Sequence, residues 1–200
     1  MRKISRILVL LICLVISFSC AGCNLGCARK DSTDINKFEL TLVGDTYSIK
    51  VKENVTLPDV VILPSEFNGK KITIIEDEAF KGCTFSKICI PNSYVEIGGY
   101  AFQNCVNLKT IEWSSNILEI KQGAFSGCTG LVNTIVLPKK LQTVGNRCFE
   151  LCINLTVIDF PASMTSFGEN VFAGCADITI NVDSLNPVYK VENNNIVPKN

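Results

Sequence analysis

The chain has 200 residues, 47% of them hydrophobic, with 19 basic and 19 acidic side chains that balance. This composition supplies enough apolar surface for one or two folded domains and excludes wholesale disorder. The sequence contains no histidine, which removes the most common general base, and it has no basic patch that would favour a nucleic-acid partner.

The first 22 residues have the layout of an export signal. Residues 1–6 include three basic side chains, residues 7–18 carry no charge, and small residues precede Cys23. The end of this segment is similar to a bacterial lipoprotein signal, in which Ala-Gly precedes a cysteine that becomes lipidated. The resemblance implies that Cys23 is the lipid attachment site, although Cys20 stands where Leu, Val or Ile is usual.

An uncleaved membrane anchor is the alternative for the same segment. Residues 7–27 carry no charge and are long enough to cross a bilayer, but Ser17, Ser19 and Asn24 weaken the far end, so a cleaved signal is preferred. Both interpretations place the remainder outside the cytoplasm, anchored at the surface of a bacterial cell. Residues 23–37 lack periodicity and are predicted to be a flexible tether.

A repeated Phe-x-x-Cys motif follows, and its spacing predicts a repeat architecture. The phenylalanines recur at intervals of 22, 23, 24 and 23 residues, and an apolar residue lies five positions before each one. The segment 131–135 is one residue longer than its counterparts, which accounts for the interval of 24. The predicted structural ladder consists of Phe80, Cys83, Phe102, Cys105, Phe125, Cys128, Phe149, Cys152, Phe172 and Cys175.

Each period also contains a short strand-like stretch in which apolar residues alternate, and Pro ends most of them. These stretches lie at 60–64, 87–91, 134–138 and 157–161. Residues 110–114 depart from the pattern, with Trp113 at an inward position and Ser114 in place of Pro.

The combined pattern resembles the BspA-like (Treponema-type) leucine-rich repeat over about residues 38–192. The resemblance implies a repeat solenoid of about six turns with about 23 residues per turn. Short parallel strands would form one face, and short helical, 3-10 or irregular segments would hold the Ala-Phe positions. Since no turn can bury its apolar residues alone, neighbouring turns must stack into one core.

Domain boundaries follow from this pattern. Residues 38–59 are predicted to form an N-terminal cap, which begins as a hairpin, and residues 60–182 form the solenoid. Residues 183–200 are either a C-terminal cap or the start of a truncated further repeat. Gly98, Gly145 and Gly168 lie where the chain bends and are expected to act as caps or to adopt a positive φ angle.

The repeat cysteines are open to three interpretations. A metal site needs converging ligands, and the close pair Cys148 and Cys152 has no second pair to complete it, so no metal and no cofactor are expected. Stacked cysteines about 4.8 Å apart do not suit a disulfide, which needs Cβ atoms about 3.8 Å apart. The favoured interpretation is a small buried hydrophobe. Cys89, by contrast, is expected to be an unremarkable thiol on the outer surface.

The outward side of the predicted strands is the candidate ligand-binding surface, because solenoids commonly bind partners on such faces. Glu112 and Asp159 lie two turns apart, about 9–10 Å, without an apolar pocket, so an acid–base pair is disfavoured. Ile62, Cys89 and Thr179 are expected on the same side. The candidate binding residues are Lys87, Thr110, Glu112, Thr134, Val136, Val157, Asp159 and Asn181.

The predicted architecture is compatible with three functions. The first is a non-catalytic cell-surface protein that binds a protein or matrix ligand, because members of the resembled family are implicated in adhesion. The alternative is a structural spacer, or a truncated copy of a larger repeat protein, with no ligand of its own. An enzyme ranks last, since no Gly-x-Ser-x-Gly motif or phosphate-binding glycine loop is present.

Overall fold

Short strands dominate the computed structural model, which describes residues 31–199. A 3-10 helix, Ile35–Lys37, precedes them. The strands are β1 (Phe38–Val43), β2 (Thr46–Val51), β3 (Val60–Ile62), β4 (Glu66–Phe67), β5 (Lys70–Ile75), β6 (Lys87–Cys89), β7 (Glu96–Ile97), β8 (Thr110–Glu112), β9 (Glu119–Ile120), β10 (Asn133–Val136), β11 (Thr143–Val144), β12 (Leu155–Phe160), β13 (Ser166–Phe167), β14 (Thr179–Val182), β15 (Tyr189–Glu192) and β16 (Asn195–Pro198).

The strands stack into a solenoid of about six turns, as the sequence predicts. Each full turn holds two parallel strands rather than the one expected. The first series begins with β3 and β6, and the second runs β5-β7-β9-β11-β13 in one sheet with the hairpin β1–β2 at its end. The sequence does not reveal the second series, because four of its five strands have only two residues and are too short to show an alternating pattern.

The first strand series is interrupted in the middle of the solenoid. Strands β3-β6-β8 form one three-stranded sheet, and β10-β12-β14 form another. The register of β10 against β12 shifts between Asn133 and Thr134, at the segment that is one residue longer than its counterparts. The extra residue displaces β10 from the ladder of β8, so the predicted continuous face consists of two halves.

The Ala-Phe segments are turns, and no helix forms in them within the described chain. Two positions in each turn adopt positive φ, one two residues before the Phe and one two residues after it, and such conformations interrupt any helix. In the second turn they are Tyr100 (φ 56°) and Asn104 (φ 57°), and in the fourth they are Arg147 (φ 55°) and Leu151 (φ 57°).

The bend glycines serve a different purpose from the one expected. Gly98, Gly145 and Gly168 do not adopt positive φ. Instead, the backbone of the preceding turn lies against them: a Cβ atom on Gly98 would lie 2.6 Å from the Asp77 nitrogen, and one on Gly168 would lie 2.4 Å from the Asn146 nitrogen. The close approach of two turns therefore selects glycine here.

The N-terminal end of the solenoid is covered by the antiparallel hairpin β1–β2, which continues into β5 through parallel pairing. Residues 33–37, at the end of the predicted tether, contact the solenoid. Thr33 donates its N–H to the Ile62 carbonyl at 2.8 Å, and its hydroxyl accepts from the Ile62 N–H at 3.0 Å. Asp34 then caps the 3-10 helix, so this segment docks along the free edge of β3.

The C-terminal end carries the antiparallel hairpin β15–β16. Before it, the buried Asn186 donates to the carbonyls of Pro161 and Met164. Asn194, in the hairpin turn, hydrogen-bonds the free edge of β14: its amide donates to the Ile178 carbonyl and its oxygen accepts from the Ile180 N–H. These residues cover the strand side of the last turn.

Candidate functional site

The Phe-x-x-Cys motifs form two parallel rows inside the solenoid. The rings of Phe80, Phe102, Phe125 and Phe149 are fully buried, and successive centroids lie 5.1–5.5 Å apart with planes within 8° of parallel. Phe172 extends the stack at 6.1 Å and is half-buried in the last turn. These rings hold the turns together and leave no room for a ligand.

The repeat cysteines are free thiols that donate hydrogen bonds between turns. Each Sγ from the second turn onward lies 3.0–3.1 Å from the carbonyl oxygen of the Phe in the preceding turn. Burial raises the pKa of Cys105 and of Cys152 from 9.0 to about 12. Burial also raises the pKa of Cys128 and Cys148. Protonated, inaccessible thiols are unsuited to nucleophilic or metal chemistry.

No group of three or more His, Cys, Asp or Glu side chains in residues 31–199 is arranged to hold a metal ion. Glu112 and Asp159, the two carboxylates considered for acid–base chemistry, lie in different halves of the interrupted sheet. Glu112 is engaged by Lys87, and Asp159 accepts from the Asn181 amide at 2.8 Å. The two carboxylates therefore have separate partners.

The strand face, defined as the outward side chains of β3, β6, β8, β10, β12 and β14, brings the candidate residues into two sets of rows. In the first half, Lys87 lies beside Thr110, and Cys89 lies beside Glu112. In the second half, Val157 lies between Thr134 and Thr179, and Asp159 lies between Val136 and Asn181. The break between β8 and β10 separates the two sets.

In the first half of the strand face, Lys87, Cys89 and Glu112 are largely covered, whereas Thr110 is exposed. The Lys87 ammonium forms an ion pair with the Glu112 carboxylate, and both side chains are largely covered. The surface-thiol prediction for Cys89 is wrong: this residue is 3% exposed, takes part in a disulfide, and has its sulfur 3.5 Å from Glu112 Oε2. Alternation of side chains indicated the direction of Cys89 but not what covers it.

The second half of the strand face contains an open groove of about 480 Å³ at the carboxyl ends of its strands. Val136, whose side chain is 62% exposed, stands at one side. Asp159 and Asn181 present a linked carboxylate and amide beside it. The walls are mainly apolar, with charged groups among them, and are formed by Val136, Leu137, Lys139, Asp159, Phe160, Pro161, Ala162, Asn181, Val182 and Asp183.

Three of the eight candidate binding residues therefore meet in one concave site: Val136, Asp159 and Asn181. Its other walls come from the last residues of β12 and β14 and from the segments after the strands, which include Lys139 and Pro161. Sequence reasoning missed these, although the Pro that ends each strand-like stretch marked their position. An apolar groove with a few fixed polar groups is suited to a ligand that buries an apolar side chain there and forms hydrogen bonds through adjacent polar groups.

The lipid attachment site, Cys23, and the signal segment lie outside the described residues. Within residues 31–199, no helix combines the length and the apolar character needed to cross a membrane.

Comparisons with known proteins place this geometry in a family. The sequence model of the BspA-type leucine-rich repeat region matches residues 63–183 as six copies. No curated protein is significantly similar to the chain. A leucine-rich repeat protein of Treponema pallidum has a similar structure, with 28% identity and a TM-score of 0.69, over 75% of this chain and 71% of that one.

Two further solved structures show the same fold over a smaller share of their own length. A leucine-rich repeat protein of Bacteroides ovatus is 28% identical, with a TM-score of 0.61 over 77% of this chain and 40% of that one. The pneumococcal vaccine antigen PcpA is 19% identical, with a TM-score of 0.61 over 85% of this chain and 53% of that one. The chain thus spans less than two thirds of these two proteins.

The six matched copies cover more than half of the chain, and the matched segment coincides with the stacked turns. The chain belongs to the BspA-type leucine-rich repeat family.

Proposed function

We propose that this protein is a non-catalytic binding module at a bacterial cell surface, held there through its N-terminal lipid or anchor, and that it binds a protein ligand through the groove on its strand face. The groove carries the proposal, because it combines about 480 Å³ of concave space with apolar walls and a linked carboxylate–amide pair. The export signal predicted for residues 1–22, directly before Cys23, supports the location.

The chemistry of the groove indicates the kind of ligand. Val136 and the neighbouring apolar walls favour burial of an aliphatic or aromatic side chain. Two carboxylates, Asp159 and Asp183, outnumber the single ammonium of Lys139 in the lining. A protein segment that carries an apolar residue next to a basic residue therefore fits the site best.

The test is capture of proteins from matrix and cell-surface extracts by the full chain in detergent. The Val136→Arg and Asp159→Arg variants should lose the captured protein, because they fill the groove or reverse its charge. Val106→Arg is the matched control, since Val106 is 49% exposed and lies in a turn outside the strand face. Equal capture by all three variants would contradict the groove as the binding site.

The spacer role remains the second candidate, favoured by the size of the face. Each half of the interrupted strand face holds three strands, about 10 Å across at the usual strand spacing. The spacer role replaces the binding role if every protein captured by the unaltered chain is also captured by the Val136→Arg and Asp159→Arg variants, or if nothing is captured.

A further inference from the structure

We use the name Phe turns for the turns that contain Phe80, Phe102, Phe125, Phe149 and Phe172. Twelve backbone hydrogen bonds join these turns, and in all of them the earlier turn is the donor. In each of the first four turns, the N–H groups of the Phe and of the residues two before and two after it donate to carbonyls of the following turn. For the second turn, the donors are Tyr100, Phe102 and Asn104, with N···O distances of 2.9, 2.7 and 2.8 Å. The pattern repeats in each of the first four Phe turns, at 2.7–2.9 Å.

The fifth Phe turn has the same donors, but no further Phe turn follows it within residues 31–199. The terminal row, which we define as the N–H groups of Asn170, Phe172 and Gly174, makes no hydrogen bond within residues 31–199. The carbonyls of Glu169, Val171 and Ala173 already accept from the fourth turn. The edge of the last Phe turn therefore carries three N–H donors that have no acceptor within residues 31–199, and its carbonyls are already in use.

The C-terminal hairpin does not cover the terminal row. Through Asn194 it binds the edge of β14 instead, and this leaves a groove of about 380 Å³ between the hairpin and the last Phe turn. Phe172 and Ile196 both line that groove. Phe172 is half-buried, whereas the four preceding ring residues are fully buried, so part of its ring stays exposed beyond its contacts with Phe149, Phe160 and Phe167.

We propose that the terminal row binds a peptide segment of a partner protein, which adds one turn to the end of the solenoid. The segment supplies three alternate carbonyls to Asn170, Phe172 and Gly174 and stacks an aromatic side chain on Phe172. The four occupied rows show what fits, since each is covered by a segment with a Phe at its centre and carbonyls along one edge.

The charges nearby favour a neutral peptide backbone over an anion. Glu169 directly precedes the row and is exposed, and Asp177 is exposed just after it. Both carboxylates would repel a phosphate or carboxylate ligand, whereas peptide carbonyls satisfy the donors without added charge. The site is separate from the groove on the strand face, so either proposal can fail without the other.

The experiment follows the backbone amides of the full ¹⁵N-labelled chain in detergent micelles during titration with a synthetic peptide. The probe is GGYAFQNS, which reproduces residues 98–105 with Cys105→Ser; the control peptide also carries Phe102→Ser. The probe should shift the amide signals of Asn170, Phe172 and Gly174 and slow their hydrogen exchange at least tenfold. The control peptide should do neither.

Two variants locate the effect on the protein. Ile196→Arg should weaken probe binding at least tenfold by filling the groove, and Val136→Arg should leave it unchanged. If Ile196→Arg does not fold, Ala173→Arg obstructs the same groove from its other side.

Four results would overturn the proposal. The first is that the amide signals do not shift at millimolar probe, and the second is that both peptides bind equally. The third is that inorganic phosphate alone causes the same shifts, and the fourth is that the amides of the terminal row already exchange hydrogen slowly in the free protein. The third would make the row an anion site. The last, if it depends on protein concentration, would make a second copy the occupant.

Discussion

The thiol of Cys128 donates a hydrogen bond to the backbone carbonyl of Phe102, one turn earlier, across 3.0 Å. The same carbonyl accepts from the Cys105 N–H at 3.1 Å, so both of its lone pairs are used. A side chain that is small, apolar and a weak donor meets the needs of this position. This explains why the motif has Cys rather than Ala or Val, which lack the donor.

Replacement of the buried thiol should destabilise the fold. Cys128→Ala is expected to lower the free energy of unfolding by about 1–2 kcal/mol, because it removes a buried hydrogen bond and leaves a small cavity. Cys175→Ala, in the half-buried last turn, should cost about half as much. Urea unfolding of both variants measures the difference, and equal losses would argue against the role of burial.

Alkaline pH should destabilise the fold in a defined window. Burial raises the pKa of Cys105 and Cys152 from 9.0 to about 12. Below pH 9 the folded and unfolded states both keep these protons, and the stabilisation is complete. As the pH rises from 9 towards 12, the unfolded state loses them first, so the free energy of unfolding falls.

Urea unfolding at pH 7, 9 and 11 measures this loss. The double variant Cys105→Ala, Cys152→Ala should lose less stability than the unaltered chain between pH 9 and 11. If the free energy of unfolding falls equally in the two proteins, groups other than these cysteines cause the alkaline transition.

Two adjacent glycines provide a matched test of the close approach between turns. A Cβ on Gly98 would lie 2.6 Å from backbone atoms of the preceding turn, whereas one on Gly99 would have its nearest neighbour at 3.5 Å. Gly98→Ala should therefore cost about 2–4 kcal/mol through forced backbone shifts, and Gly99→Ala less than about 0.5 kcal/mol. Thermal unfolding of the two proteins compares them, and similar midpoints would contradict the packing described for Gly98.

Leu151 occupies a position where a left-handed backbone is required, with φ at 57° and its side chain 52% exposed. The equivalent residue two turns earlier is Asn104, also at φ 57°. Leu151→Asn is expected to raise the free energy of unfolding by about 0.5–1 kcal/mol, because Asn tolerates this conformation better. Leu185→Asn, at an exposed residue without positive φ, should be neutral and serves as the control.

The sequence predicts the stacked positions well, because a fixed period reports which residues lie above one another. The Phe stack and the lateral neighbours of Glu112 and Asp159 follow from it. The period does not report hydrogen bonds. It therefore does not predict that the Cys128 thiol is a donor, or that the Phe172 N–H has no acceptor within residues 31–199.

Local departures from the period were visible, but their consequences were not. The longer connection at 131–135 was evident, yet its effect on β8 and β10 depends on how the backbone absorbs one residue. Cys89 is buried and its sulfur lies beside Glu112 of the next turn, which its own segment does not reveal. Likewise, glycine at position 98 signals either positive φ or close approach, and only the neighbouring turn distinguishes them.

The central claim is that the Phe-x-x-Cys rows hold the fold and the strand face carries the function. The most direct test measures ligand affinity and free energy of unfolding for Cys128→Ala and Val136→Arg, with the ligand captured by the unaltered chain. We predict that Cys128→Ala loses about 1–2 kcal/mol of stability with unchanged Kd, whereas Val136→Arg weakens Kd at least tenfold with unchanged stability. A Val136→Arg protein that binds normally, or a Cys128→Ala protein that is fully stable but no longer binds, would contradict the claim.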